Sequence, residues 1–303
     1  MVSFSSAVVL LGLSAAAPPL WPDAAASTFD LRRFQSLLAS RSMCRPMIYR
    51  QVTTTTMDLA AREIREGAPH GTIVLAEEMT QGRGRLGSKW VSPDEANLYI
   101  TLILSPSAEF TLNDKRRAQL NFAMPLAVAS ACNATAPALD IRIRWPRAVV
   151  VGEKKLSGTL IEVHTSEGQL DHFAVGVGIN VNGGDCSNAS FTQEVTSLRC
   201  VAGHIVDREH LLAKFCGDLD AFLAVPPEEL KMKYEEWPSG TSKGSKVSLY
   251  NKTSKLYETE GTVRDLLMDM SLVIQTASGE IKLTDNSPFT VFPAGQGYAK
   301  VEL

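Results

Sequence analysis

Between positions 72 and 104 the chain commits itself to one local arrangement. Thr72-Ile73-Val74-Leu75-Ala76 and Asn97-Leu98-Tyr99-Ile100-Thr101-Leu102-Ile103-Leu104 are short apolar runs, the pattern of buried strands. Between them lies Thr80-Gln81-Gly82-Arg83-Gly84-Arg85-Leu86-Gly87-Ser88-Lys89-Trp90-Val91-Ser92-Pro93, in which glycines alternate with cations. A basic, glycine-rich loop is thus slung between two strands. Glycine lets a backbone approach a ligand closely or adopt positive φ, and guanidinium forks match a carboxylate or a phosphate. A solvated hairpin with incidental charge is the plainer reading of a basic loop. The interleaved glycines favour one that grips an anion.

Elsewhere the pattern alternates between helix and strand. Thr53-Thr54-Thr55-Thr56-Met57-Asp58 leads into Leu59-Ala60-Ala61-Arg62-Glu63-Ile64, a predicted helix with a threonine N-cap and an acidic first turn. Residues 115 to 132 predict a largely buried helix that Pro125 should kink or interrupt. Ile141-Arg142-Ile143-Arg144-Trp145 alternates as a strand with one buried face, and Val149-Val150-Val151 starts another. Lys155-Leu156-Ser157-Gly158 opens the next strand, and His172 to Asn182 is a buried strand containing Gly176 and Gly178, a sign of close approach by a backbone or ligand. Residues 206 to 223 show helical spacing. After Trp237-Pro238-Ser239-Gly240, short strands near 246–250, 258–263, 271–275 and 280–283 suggest a small β-domain.

Composition excludes little. The chain has 303 residues, 45% of them apolar, and a net charge of −3, so one or two soluble domains fit and nothing points to nucleic acid. Its five cysteines, Cys44, Cys132, Cys186, Cys200 and Cys216, form no metal-ligand spacing, and the scattered odd set predicts reduced thiols in an intracellular compartment. In residues 1–45 the apolar run 7–13 is too short to span a bilayer and lacks a basic n-region. The serines there, with Arg32, Arg33, Arg41 and Arg45, lean toward a mitochondrial or plastid leader. A disordered or weakly helical extension is the alternative, so a cytoplasmic and an organellar location both stay open.

Gly-Arg-Gly-Arg-x-Gly-x-x-Trp-x-Ser-Pro followed by Asn97-Leu98-Tyr99 resembles the signature of the biotin–protein ligases, or holocarboxylase synthetases. The likeness extends over about residues 47 to 303. It implies an α+β fold: a class II aminoacyl-tRNA-synthetase-like catalytic domain, a mixed sheet with helices, over 46–238, and an SH3-like β-barrel over 239–303. The first 45 residues are too short for the helix-turn-helix domain that makes some members repressors, so no DNA binding is expected. Thr55, Thr56 and Met57 stand where the family contacts the ureido ring, and Met79 where a glutamine often does. Gly82, Arg83, Gly84, Arg85, Trp90, Lys155, Gly158, Gly176, Gly178 and Asn180 complete the implied biotin and adenylate site. Arg144, Trp145 and Arg147 fall in the ATP or metal region. Arg147-Ala148 departs from the family's Asn-Asp pair, as Glu95 departs from its Ser-Pro-x-Gly. The loop from Gly183 to Thr192 is expected to close over the adenylate, with Val195 or Phe191 as an apolar lid.

The resemblance implies a two-step ligase. Biotin attacks the α-phosphate of ATP, with Mg2+ accompanying the nucleotide, and a lysine of a biotin carboxyl-carrier domain then displaces AMP. Arg83, Arg85 and Lys155 are the expected catalytic cations; read without the family, Lys155 is an ordinary strand-edge lysine. Two readings of Arg147-Ala148 stay open: Arg147 neutralises phosphate charge and so replaces part of a metal's role, or the Asn-Asp pair is lost because activity is lost. No metal ligand is assigned, no membrane contact is expected, and homodimerisation stays open. A lipoate or octanoyl ligase of the same fold and a degenerate biotin- or partner-binding protein are the other readings. The Arg-Arg-x-x-Gly-Gly-Gly loop of the former is absent.

Overall fold

The computed structural model describes residues 28–40, 42–92, 96–106, 112–166, 169–183 and 195–294. A mixed sheet and helices on both its faces make an α+β architecture. The strands are β1 (Met47–Thr53), β2 (Ile73–Met79), β3 (Leu98–Leu104), β4 (Ile141–Arg144), β5 (Ala148–Val151), β6 (Lys154–Ser166) and β7 (Gln169–Ile179). They form one seven-stranded sheet in the order β1-β2-β3-β7-β6-β5-β4. Only β1 and β2 run parallel; every other pair is antiparallel.

The apolar runs seen in the sequence are β2 and β3, and both are buried on two faces. Ile73 and Leu75 of β2 join the main core, whereas Val74 joins a second cluster under helix α2 (Thr56–Arg65) with Met57, Leu59, Ala60 and Ile64. A strand covered on both sides needs no polar alternation, which explains the continuous runs. α2 is capped as expected: the Thr55 hydroxyl accepts from Asp58 N at 2.9 Å, and Arg62 and Arg65 occupy its last turn. On the opposite face, α3 (Asp114–Thr135) packs against β4, β5 and β6. The interruption expected at Pro125 is not seen, and α3 runs on as one element with Pro125 inside it.

Helices α4 (Leu198–Ala202), α5 (Arg208–Leu223) and α6 (Pro227–Glu236) follow. The C-terminal strands β8 (Lys246–Asn251), β9 (Leu256–Leu266), β10 (Leu272–Thr276), β11 (Gly279–Leu283) and β12 (Phe289–Pro293) form a five-stranded antiparallel sheet, ordered β11-β10-β9-β8-β12. This row of pairings is open from β11 to β12, so it does not by itself make the barrel that the sequence suggested. It is bolted to the first sheet: Trp145 Nε1 donates to Met270 O at 2.8 Å, and the Arg144 guanidinium stacks on Phe292 at 4.8 Å from the ring centroid.

Two expectations need correction. Folded chain starts before position 46, because α1 (Leu31–Leu37), capped by Asp30, packs against α5. A buried carboxylate fixes this segment: Glu77 accepts from Phe29 N at 2.7 Å and from Arg208 Nη1 at 2.6 Å. The leader proposed for the first residues lies, up to position 27, outside the described residues. Secondly, the cysteines are not all thiols. Cys44 and Cys216 are joined in a disulfide that ties the chain just before β1 to α5, and Cys200 is also disulfide-bonded. Cys132 is the free thiol among the described residues, and burial pushes its pKa up to about 12. Among those residues no helix is long and apolar enough to cross a membrane.

Candidate active site

The Gly-Arg loop folds back on itself. Trp90 N donates to Gly82 O at 2.9 Å and Gly84 N to Ser88 O at 2.7 Å. A Cβ on Gly82 would stand 2.4 Å from Trp90 O, so this glycine is required by close approach. Leu86 and Gly87 take the positive φ angles of the turn, 54° and 73°. The closed loop then lays the Trp90 indole along the sheet, over Gly158 of β6 and Gly178 of β7, which pair with each other. A Cβ on Gly178 would lie 2.5 Å from Trp90 Cζ2. Sequence reading expected a backbone or ligand to approach these glycines closely, and here they form a floor under an indole whose Nε1 is buried without a hydrogen-bond partner.

Around this floor is a cavity of about 120 Å³. The N-terminus of α2, with Thr55, Thr56 and Met57, closes one end, and Arg83, Arg85, Lys89, Arg147, Lys155 and Lys252 bring cations to it. At the α2 end, Thr101 Oγ1 donates to Thr56 Oγ1 at 2.9 Å, and Thr56 N donates to Met79 Sδ at 3.4 Å. A thioether therefore sits against the first helical amide. Met57 lies under Gly176, its Sδ 2.7 Å from where a Cβ there would be.

The cations differ in how much of their charge is spent. Arg83 was expected to grip a ligand anion, but all its guanidinium nitrogens are engaged. Nε and Nη2 hold Glu162 at 3.1 and 3.2 Å, and Nη1 holds Asp58 at 2.6 Å and Thr55 Oγ1 at 3.2 Å. The hydrogen bond to Glu162 is the main reason its pKa is raised. Arg83 is thus a brace between loop, α2 and β6, with two carboxylates against its charge. Lys155 points into the cavity, its Nζ 5.0 Å from the centroid of a Trp90 ring. Burial, and then Lys252, Arg85 and Arg144, bring its pKa down to about 8. Lys252, from the C-terminal sheet, joins Arg83, Arg85 and Lys155 along the cavity wall and was missed by the sequence reading. No local motif marks it, because it follows strand β8 in a separate sheet.

Arg147 lines the wall, and its charge is already met by a carboxylate. Its side chain is 4% exposed, Nη2 holds Asp285 at 2.6 Å and Nη1 donates to Asn121 Oδ1. Arg144 and Trp145 lie away from the cavity: Arg144 holds Glu153 through O at 2.7 Å and Trp145 holds the C-terminal sheet. Asn180 is also no wall residue; its Nδ2 donates to Thr196 O at 3.0 Å. That bond, with Thr196 N donating to Lys155 O at 2.9 Å, anchors the far end of the loop after Gly183 beside Lys155. Val195 bridges to Lys155 and is 37% exposed. Phe191, Glu95 and most of that loop lie outside the described residues.

A magnesium ion that comes with a nucleotide needs only one or two carboxylates beside the phosphates, not an all-protein cage. Among the described residues no three ligating side chains come together. The carboxylate on the cationic side of the cavity, Asp285, is shared between Arg85 and Arg147.

Comparison with known proteins gives a consistent picture. A family model described as the biotin/lipoate A/B protein ligase family matches residues 48–180. A biotin–[acetyl-CoA-carboxylase] ligase of Paracoccus denitrificans is 34% identical over 184 residues, covering 57% of this chain and 74% of that protein. The bifunctional ligase/repressor BirA of Bacillus spizizenii is 27% identical over 224 residues. That match takes in 71% of this chain and 66% of the relative, just under two thirds of its length. A solved biotin protein ligase from Aquifex aeolicus, in complex with biotin and ATP, aligns with a TM-score of 0.64 at 27% identity, over 82% of this chain and 100% of that one.

Proposed function

The chain belongs to the biotin/lipoate A/B protein ligase family, and from that premise we propose that it activates biotin with ATP and transfers it to a lysine of a biotin carboxyl-carrier domain. One observation carries the reading. A glycine-floored slot with a helix N-terminus at one end also brings together Arg85, Lys155 and Lys252. Biotin has that polarity: a polar ureido ring, an apolar body and a carboxylate tail.

The ureido carbonyl would take hydrogen bonds from Thr56, displacing the Met79 thioether that now meets its amide. The bicyclic body would lie over Gly176 and Gly178. Its room must come from Trp90, since the present cavity is smaller than the several hundred Å³ usual for small-molecule sites, roughly 300–1,000 Å³. The carboxylate would then reach Lys155.

A carboxylate is a poor electrophile, so it is first joined to AMP. One carboxylate oxygen attacks the α-phosphorus, the bond to the bridging oxygen breaks, and pyrophosphate leaves. Bringing two anions together, and stabilising the charge that builds on phosphorus, is electrostatic work for Lys155, Arg85 and Lys252. Each charge-assisted contact contributes roughly 1.5–3 kcal/mol. The acceptor lysine amine then attacks the activated carbonyl and AMP departs with the electron pair. Magnesium would enter with the nucleotide.

We read the first sheet with its helices as the class II synthetase-like catalytic domain, and the C-terminal sheet as the SH3-like domain. The order and spacing of the short strands after Trp237 support the second assignment. The test is transfer itself. Purified chain, ATP and an isolated carrier domain should yield biotinylated carrier with biotin and no lipoylated carrier with lipoate; the reverse selectivity would move the chain to the lipoate branch.

A further inference from the structure

We propose that Asp285, supplied by the C-terminal sheet, is a positioning residue: it holds one edge of the Arg85 guanidinium so that the other edge faces the nucleotide's phosphates. This rests on the reading of the cavity as an ATP site. Asp285 lies 200 residues from Arg85, in the turn between β11 and β12. It grasps Arg85 twice through Nη1, by its backbone carbonyl at 2.6 Å and by carboxylate Oδ1. Among the described residues, Arg85 Nε and Nη2 have no such partner and remain available to a ligand.

The carboxylate is itself fixed from behind. Its Oδ2 accepts from Arg147 Nη2 at 2.6 Å, and the Arg147 side chain is 4% exposed and held by Asn121. The turn that carries Asp285 is closed by Ser287 N donating to Thr284 O at 2.9 Å, and Lys252 N donates to Pro288 O at 3.0 Å. Asp285 and Lys252 therefore lie on adjoining segments of the C-terminal sheet. Burial alone would raise the Asp285 pKa, yet Arg147 and Arg85 together keep it below the usual carboxylate range, so it stays an anion at neutral pH.

The position of Arg85 needs such help. It sits on a loop beside Leu86 at positive φ, and its side chain is 22% exposed. A long side chain there samples many rotamers unless anchored, and misplacing a catalytic donor by an ångström costs on the order of 100-fold in rate. Asp285 also lies between Arg85 and Arg147, two cations that otherwise repel.

The experiment is biotin-dependent ATP–pyrophosphate exchange by the full chain, compared with Asp285→Asn. Because that variant leaves buried Arg147 without its counter-charge, Arg147→Met/Asp285→Asn is measured alongside. Biotin affinity and thermal midpoint are recorded for each protein. Both variants should lose roughly 10- to 100-fold in kcat, with biotin affinity within about twofold of the parent. Asp285→Glu should recover part of the rate. An active parent whose two variants keep full kcat overturns the positioning role while leaving the ligase reading intact. Variants that lose kcat and biotin affinity in step overturn it as well, because a structural collapse would do that. A parent without biotin-dependent exchange overturns the ligase reading itself.

Discussion

Lys155 and Trp90 crowd the same face of Gly158. The ammonium lies 5.0 Å from the indole ring centroid, and a Cβ on that glycine would stand 3.2 Å from Lys155 Cε and from Trp90 Cζ3 alike. The cation is thus held by a π-face rather than by a carboxylate. A ligand anion can take it without first breaking an ion pair.

This arrangement fixes a pH dependence. Burial first, and then Lys252, Arg85 and Arg144, bring the Lys155 pKa down to about 8. A cation with a lowered pKa is present below that value and lost above it. The kcat/KM for biotin activation should therefore fall above about pH 8, approaching about tenfold per pH unit. Lys252→Met removes a neighbouring positive charge, so the alkaline limb should move to higher pH. A limb unmoved by that change would separate the titrating group from Lys155.

Gly178→Ala tests the floor. Its Cβ would meet Trp90 Cζ2 at 2.5 Å and Cε2 at 2.6 Å, below any normal contact. The indole must be displaced and the slot narrowed, so biotin affinity should drop at least about tenfold, or about 1.4 kcal/mol. Overpacking at one methyl should cost about 1–3 kcal/mol of stability. Titration calorimetry with biotin, beside a thermal melt, checks both.

Arg208→Met tests what anchors the N-terminal segment. Arg208 meets Glu77 at 2.6 Å, with side-chain exposures of 5% and 0%. Removing one partner from so buried a pair costs about 3–5 kcal/mol. Lys233→Met, which breaks an exposed pair with Glu229 within α6, should cost less than about 1 kcal/mol. Urea unfolding midpoints of the two variants provide the comparison.

What was legible beforehand is what local pattern encodes. Two apolar runs around a Gly-Arg loop became β2, the loop and β3, and Thr55 became the cap of α2. Lys155 reached the slot, and Gly158, Gly176 and Gly178 came to line it. Pairings between distant residues were hidden. That Glu162 and Asp58 would occupy Arg83, and that Lys252 would line the same cavity as Lys155, depends on how β6, α2 and a second sheet meet. The segment before β1 looked like a loose extension because its stability comes from far away: a disulfide to Cys216 and a hydrogen bond to Glu77. Arg147 looked like a phosphate ligand because a sequence shows its charge but not the Asp285 carboxylate facing it.

The central claim is that Lys155 supplies charge to the transition state of biotin activation, and Lys155→Met measures it most directly. Biotin-dependent ATP–pyrophosphate exchange should fall on the order of 10²–10³-fold in kcat, while calorimetry still detects biotin binding. Exchange at the parent rate by Lys155→Met would contradict the account.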